Sequence, residues 1–425
     1  MGYGGRVART ALTTRADAEA FDAAEPLAGY RDRFALGDGR RIYVDGNSLG
    51  ALAHDAQAAI EARVGEWRDL LVTGWHDWVD APAAVGDRLA GAALGAGPGQ
   101  VIVSDSTTVN LYKLACAALD ARPGAIVADP SDFPTDRYVL QGLAARTGRE
   151  LRLLDTDPVA GPQPAEIEQA CAVGAALVVL SAVNYRSGSF ARMADITAAG
   201  HAAGALVLWD LCHAAGAVEV DLDAVGADLA VGCTYKYLNA GPGSPALLYV
   251  RSDLQAELRS PIWGWFSQSD QFAMGPEYEP VEGIGRFLAG TPPIVALAAV
   301  DAGAAMLAEA GIGRVRAKAA ALTSLAVDLH DQRLAPLGFT LGTPREPEHR
   351  GAHVSLRHPD AWRICRALIE QADVIPDFRA PDSIRFGLAP LYTRHVDVWD
   401  AVDRLAGIVE SGEHERMDDA RRRVT

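Results

Sequence analysis

The sequence predicts an α/β chain, with a mostly parallel sheet covered by helices on both faces and a smaller α+β domain after it. Three observations carry this. Between residues 101 and 250, short apolar runs alternate with segments of helical spacing, the pattern of βα units. Two of those runs, 205–209 and 229–233, lead into Asp210 and Lys236, where a parallel sheet opens its ligand-binding carboxyl edge. After Pro292 the pattern changes to two long Ala-rich helices followed by short strands.

Residues 1–26 are weakly patterned and read as an arm or lid. A short strand over 41–44 leads into DGNSLG (45–50), a turn with two glycines. Ala58, Ile60, Val64, Trp67 and Leu71 give helical spacing over 54–71. A second helix over 85–94 stops at the glycines of 95–99. Residues 101–103 are a strand stub, and 105–119 form a helix with a hydroxyl-rich start. Strands are then expected at 126–128, 151–154, 177–180, 206–209, 229–232 and 246–250, with helices at 135–147, 164–172 and 193–203. The strand at 247–250 follows its predecessor with no room for a crossover helix, so it is expected to be antiparallel. Beyond Pro292, helices are expected at 294–310, 315–330, 361–371 and 396–409, and strands at 353–357, 374–376 and 384–387.

The chain has 425 residues, enough for a large core and two domains. Its 39 Lys+Arg against 55 Asp+Glu leave a net charge of −16, unfavourable for binding nucleic acid or an anionic membrane. The main basic cluster, Arg421–Arg423, reads as a solvated tail. Five cysteines without CxxC spacing argue against a disulfide framework. Residues 1–15 lack the apolar core of a signal peptide, and no run has the length of a membrane helix. The expectation is a soluble cytoplasmic protein.

The residues that can carry chemistry cluster around those strand ends. Asp210 and Lys236 match the two demands of pyridoxal phosphate: an acid for the pyridinium nitrogen and a lysine for the Schiff base. An Asp after four apolar residues is costly unless paired, although it can also cap a following helix. His213, three residues on, can reach the same site. Lys236 can also be read as a surface lysine opening a loop, and Tyr235 beside it as a phosphate contact or a proton donor. Thr107 and Thr108 open a helix after a strand, a natural anion site, and N-capping by Ser106 or Thr107 explains the same residues. Phe133 can cover a flat ring or fill the core, with Asp136 a short turn away. Arg385, on a small-domain strand, can grip a carboxylate with a two-point fork or lie at the surface. Trp75, Trp263 and Trp265 adjoin glycines in irregular segments and are candidates to line a pocket.

Other motifs carry less. GNSLG (46–50) fits the GxSxG nucleophile elbow but precedes the alternating βα region, so a turn or a substrate contact by Ser48 is the better reading. His349 and His353 have HxxxH spacing across a glycine in a polar loop, a poor helical metal pair. GPG (241–243) indicates a tight turn and no nucleotide site.

The residues together resemble kynureninase, a fold-type-I pyridoxal-phosphate enzyme of the class-V aminotransferase-like superfamily. The matching motifs are DGNSLG (45–50), STTVNLYKL (106–114), DFPTDRY (132–138), WDLCHAAGAVEVDL (209–222), AVGCTYKYLNAGPGSPALLYV (230–250), GWFSQSDQF (264–272), FLAGTPPI (287–294) and IRFGLAPLYTRHVDV (384–398). The resemblance implies a large domain with a seven-stranded sheet. The expected division is an N-terminal segment 1–55 packing with the small domain, a cofactor-binding domain 56–300 and a small domain 301–425.

The resemblance also implies roles. Lys236 forms the Schiff base, Asp210 pairs with the pyridinium nitrogen, His213 lies beside the ring and Phe133 stacks on it. Thr107, Thr108, Asp136, Ser181, Tyr235, Trp265 and Thr291 complete the cofactor shell. Ser48, Trp75 and Arg385 face substrate, Arg385 taking the α-carboxylate. The implied reaction cleaves the Cβ–Cγ bond of L-kynurenine, or of 3-hydroxy-L-kynurenine, to anthranilate or its 3-hydroxy form plus L-alanine, in tryptophan catabolism. Trp75 and Thr291 resemble the bacterial form that prefers kynurenine, whereas GWFSQSDQF departs from the family's usual GH after GWF. A homodimer is implied, with Trp265 and Thr291 serving the neighbouring cofactor.

The rival enzymes on the same scaffold are a cysteine desulfurase and an aminotransferase. A desulfurase needs an exposed loop cysteine, and Cys365 sits instead in the amphipathic pattern AWRICRALIEQ. A non-catalytic regulator is disfavoured by the presence of both Asp210 and Lys236.

Overall fold

The computed structural model describes residues 13–37 and 39–418. Residues 1–12 and the basic cluster Arg421–Arg423 lie outside the described residues, so the expectations for them have no counterpart here. The first described elements are α1 (Arg15–Ala23), β1 (Ile42–Tyr43), α2 (His54–Leu70), α3 (Trp75–Trp78) and α4 (Ala81–Leu89). Helix α1 lies inside the stretch expected to be an arm. Its start is fixed by Thr14, whose side chain accepts from the Asp17 N–H while Asp17 returns a bond to the Thr14 backbone. The helix expected at 85–94 begins earlier, with Pro82 in its first turn, and its last five residues form a π-helical turn ended by left-handed Gly95.

The central layer follows: β2 (Val101–Ser104), α5 (Thr107–Ala121), β3 (Ala125–Ala128), α6 (Pro134–Thr147), β4 (Leu151–Leu153), α7 (Pro164–Cys171), β5 (Ala175–Ser181), α8 (Met193–Ala202), β6 (Leu206–Asp210), β7 (Leu229–Gly232) and β8 (Ala246–Val250). These seven strands form one sheet in the order β2-β8-β7-β6-β5-β3-β4. As expected, β8 is antiparallel, to both β7 and β2, while the β7-β6-β5-β3-β4 pairs are parallel.

The apolar runs of these strands are buried on both faces, so their side chains divide with period two between two cores. On β5, Val178 and Leu180 join one core with Val207 and Trp209, while Leu177 and Val179 join the other with Leu206 and Leu208. Helix α9 (Ile294–Ala310) packs on α2 and α4 and belongs to the first of these cores. Helix α10 (Ile312–Leu329) bridges: Val315 and Ala319 enter that core, and Leu322, Leu325 and Leu329 enter a third.

The third core lies under a four-stranded antiparallel sheet, β12-β13-β10-β9. Its elements are β9 (Thr340–Leu341), β10 (His353–Arg357), α11 (Ala361–Gln371), β11 (Val374–Ile375), β12 (Asp377–Arg379), β13 (Ser383–Gly387) and α12 (His395–Glu410). Ala18, Ile42 and Val44 also enter this core, and α1 lies against α12. Of the strand expected at 374–376, only Val374–Ile375 form a strand, β11, which pairs with β1, while β12 follows in the other sheet. Pro376 stands between them and has no N–H for a ladder. Strands β9 and β12 were not predicted; two or three residues are too few to show a period.

Candidate active site

The carboxyl ends of β6 and β7 deliver the two residues that the sequence singled out. Asp210 ends β6, buried, and accepts from the Cys212 N–H at 2.7 Å. Lys236 follows β7, half-buried, with Nζ 3.2 Å from Nε2 of His213. Both line one cavity of about 200 Å³ with Ser48, Thr107, Thr108, Phe133, Asp136, His213, Tyr235 and Arg385. Asn47, Thr135, Tyr185, Cys212 and Arg379 complete its wall and were missed by the sequence reading.

Each wall has its own cause. Ser106 caps α5 by accepting from the Val109 N–H at 3.4 Å, which leaves Thr107 and Thr108 as the first helical residues facing the cavity. The expected capping by Ser106 is present, and it leaves the helix start open to the cavity. Phe133 stands before α6, 40% exposed, edge-on to Tyr185 at 5.3 Å, with Lys236 Nζ 5.9 Å from its ring centre. The DGNSLG turn docks directly on the lysine loop, the Gly50 N–H donating to the Tyr235 carbonyl at 2.7 Å. That contact explains the turn's second glycine. Ser48 lines the cavity, and its Oγ donates to Asp377 at 2.7 Å.

The electrostatics suit a cationic ring bearing an anionic tail. Burial pushes the Asp136 carboxyl well up, and the neighbouring Asp210 charge adds to it. Asp136 Oδ2 is buried with no hydrogen-bond partner. A protonated pyridine nitrogen is the donor that this pair of acids lacks, and the start of α5 offers N–H groups to a phosphate. The residues therefore fit pyridoxal phosphate. Burial and the Lys236 charge hold His213 far below its usual range, so its imidazole is neutral. Burial and the Cys233 thiol beside it push the Tyr235 phenol upward.

Arg385 is fully buried and does not present the open fork expected of it. Its Nε donates to Asp377 at 2.7 Å, Nη2 donates to the same carboxylate, and Nη1 donates to the Tyr185 carbonyl. Ser181 lies at the end of β5 beside Asp210, with its N–H on Asp132, and does not line the cavity. Trp75, Trp265 and Thr291 are not brought to it within one chain. Trp75 packs on Trp78 and Phe266. Trp265 packs on Phe266 and Phe272, and Thr291 is exposed. Trp263 stacks on Tyr278 at 5.0 Å beside a separate pocket. Among the described residues no group of three or more His, Cys, Asp or Glu has metal-site geometry.

Residues 315–405 match the family model of the kynureninase C-terminal domain. The chain is 45% identical over 410 residues to a kynureninase of Pseudomonas fluorescens, covering 94% of this chain and 96% of that one. It is 44% identical to a kynureninase of Burkholderia pseudomallei (strain 1106a), with the same coverage. Among solved structures, a cysteine desulfurase from Thermococcus onnurineus NA1 superposes with a TM-score of 0.78 at 19% identity, covering 90% of this chain and 98% of its own. A C-DES mutant with glycine linked to its PLP cofactor gives 0.75 at 22% identity, covering 88% and 98%. These two share the fold alone, that of class-V pyridoxal-phosphate enzymes, whereas the identity and coverage of the bacterial relatives are decisive: the chain belongs to the kynureninase family.

Proposed function

We propose that this chain hydrolyses the Cβ–Cγ bond of L-kynurenine, releasing anthranilate and L-alanine, and accepts the 3-hydroxy substrate in the same cavity. The observation that carries this is the meeting of Asp210, Lys236, His213 and the Ser48–Arg385 wall in one cavity of a kynureninase-family chain. Pyridoxal phosphate, when bound, supplies an electron sink for charge developing at Cα and Cβ. Lys236 would anchor it and, as a free amine, would move the proton at Cα. Asp210 keeps the proton on the ring nitrogen, with Asp136 behind it. Phe133 covers one ring face, and Thr107 and Thr108 hold the phosphate. Tyr235 retains its proton at neutral pH and donates it at the γ-oxygen or Cβ.

The assembly we favour is a homodimer. Trp265 and Phe272 are in contact and 46% and 76% exposed, Thr291 is exposed too, and none of the three lines the chain's own cavity. In a dimer, Trp265 and Thr291 reach the neighbouring cofactor. The five cysteines are free and buried, which suits a cytoplasmic setting.

The test is purified protein incubated with pyridoxal phosphate and L-kynurenine and followed by anthranilate fluorescence. Lys236→Ala is expected to abolish the signal. Conversion of alanine to pyruvate with the cofactor left in its amine form, and no anthranilate, would favour an aminotransferase.

A further inference from the structure

We propose that Arg379 is a second anchor for the α-carboxylate of the amino-acid substrate, acting beside Arg385 and positioned by Asp377; this rests on the kynurenine reading of the cavity. Strands β12 and β13 pair antiparallel with Asp377 directly opposite Arg385, so the two side chains leave the same face of the sheet. Asp377 then occupies the Nε–Nη2 edge of Arg385, the edge that grips a carboxylate at two points.

Arg379 stands two residues after Asp377 on the same strand, hence on the same face. Its Nη2 lies 2.8 Å from Asp377 Oδ2 and its Nη1 donates to the Phe378 carbonyl at 3.0 Å. Unlike Arg385, with a side chain 1% exposed, its side chain is 33% exposed at the cavity wall. The Nη2 atoms of both arginines lie 3.4 Å from Ser48 Oγ, so two guanidiniums converge on one point.

The charge count at that point is unbalanced. Two guanidiniums face the ionised Asp377, and the other acid there, Asp45, is held partly protonated by burial and by Asp377. Like charges packed together and partly buried call for a counter-ion. The α-carboxylate is the only anionic group of L-kynurenine, whose aryl end is neutral, and it supplies the missing charge.

The experiment uses holoenzyme and two ligands. L-alanine carries the α-carboxylate, and its binding is read from the visible absorbance of the bound cofactor; anthranilate carries the aryl carboxylate, and its binding is read as inhibition. Arg379→Gln is expected to weaken L-alanine binding roughly 10- to 100-fold and to raise KM for L-kynurenine by a similar factor. Over the same change kcat should move less than about threefold, with cofactor affinity unchanged. Arg379→Lys, which keeps the charge and loses the fork, is expected to weaken L-alanine binding about threefold to tenfold. L-alanine binding unchanged in either variant overturns the proposal. So does a selective loss of anthranilate inhibition, which would place Arg379 at the departing aryl carboxylate. If Arg379→Gln does not fold with cofactor bound, Arg379→Lys decides alone. Wild type that binds L-alanine without yielding anthranilate would remove the kynurenine reading and leave the carboxylate anchor to be judged by L-alanine alone.

Discussion

Lys236 Nζ lies 3.2 Å from Nε2 of His213, and the two residues follow neighbouring parallel strands, β7 and β6. An ammonium has only donors, so the neutral imidazole is the acceptor that fixes where the lysine amine points. His213→Phe keeps the bulk over the site and removes the acceptor. Its kcat is expected to fall about tenfold, the worth of one hydrogen bond, with KM little changed in the fluorescence assay. An unaltered kcat would leave His213 with packing alone.

A phenol is protonated at neutral pH, and burial and the nearby Cys233 push that of Tyr235 further upward. As a proton donor it contributes on the order of 100-fold. Tyr235→Phe should lose that much kcat while binding the cofactor visibly; full turnover would end the role.

Asp45 gives a pH dependence. Burial raises its carboxyl, the adjacent Asp377 raises it further, and Ser48, Arg385 and Arg379 only partly offset this, leaving it at about 7. Tyr43 and Tyr237 also feel its charge, and Asn47, with its amide nitrogen turned inward, donates to it at 3.3 Å. Above pH 7 the ionised Asp45 adds negative charge beside the arginines and repels a substrate carboxylate. KM for L-kynurenine should therefore rise as pH passes through about 7 and level off above it. Asp45→Asn should flatten that rise, and a KM profile identical in both proteins would refute the mechanism.

Gly50 has no room for a side chain. A Cβ there would come within 2.3 Å of the Lys236 carbonyl oxygen and 2.9 Å of the Asn239 Cα, both backbone atoms that yield poorly. Gly50→Ala should cost about 1–3 kcal/mol by overpacking. Because the displaced segment carries Lys236, cofactor affinity measured by absorbance titration should fall along with the melting temperature.

Cys365 separates this chain from a desulfurase. It is fully buried in α11, and burial pushes its thiol above the reactive range. Cys365→Ala should retain anthranilate production within about twofold while losing about 1 kcal/mol of stability from the small cavity. Sulfide release from L-cysteine that disappears in this variant would contradict the assignment.

The sequence by itself determined the α/β layer order, the antiparallel β8, and Asp210 and Lys236 at two strand ends. These follow from local periods of about two and 3.6 residues, and from the cost of burying an acid or a lysine without a partner. The DGNSLG motif also marked a turn at the site, though not that Gly50 rests on the backbone of the lysine loop. Only the tertiary structure decided what surrounds those residues. Asp377 and Arg379 sit on a three-residue strand with no legible period, and Asp377 meets Arg385 through the register of β12 against β13. Asn47, Tyr185 and the arginines reach one cavity because the third core docks against the carboxyl edge of the large sheet. Trp75, Trp265 and Thr291 show the same limit from the other side: a motif names a residue, but which cavity it faces depends on long-range packing. Periodicity is a property of neighbours along the chain, whereas charge pairing across a cavity depends on distances that only the docked layers set.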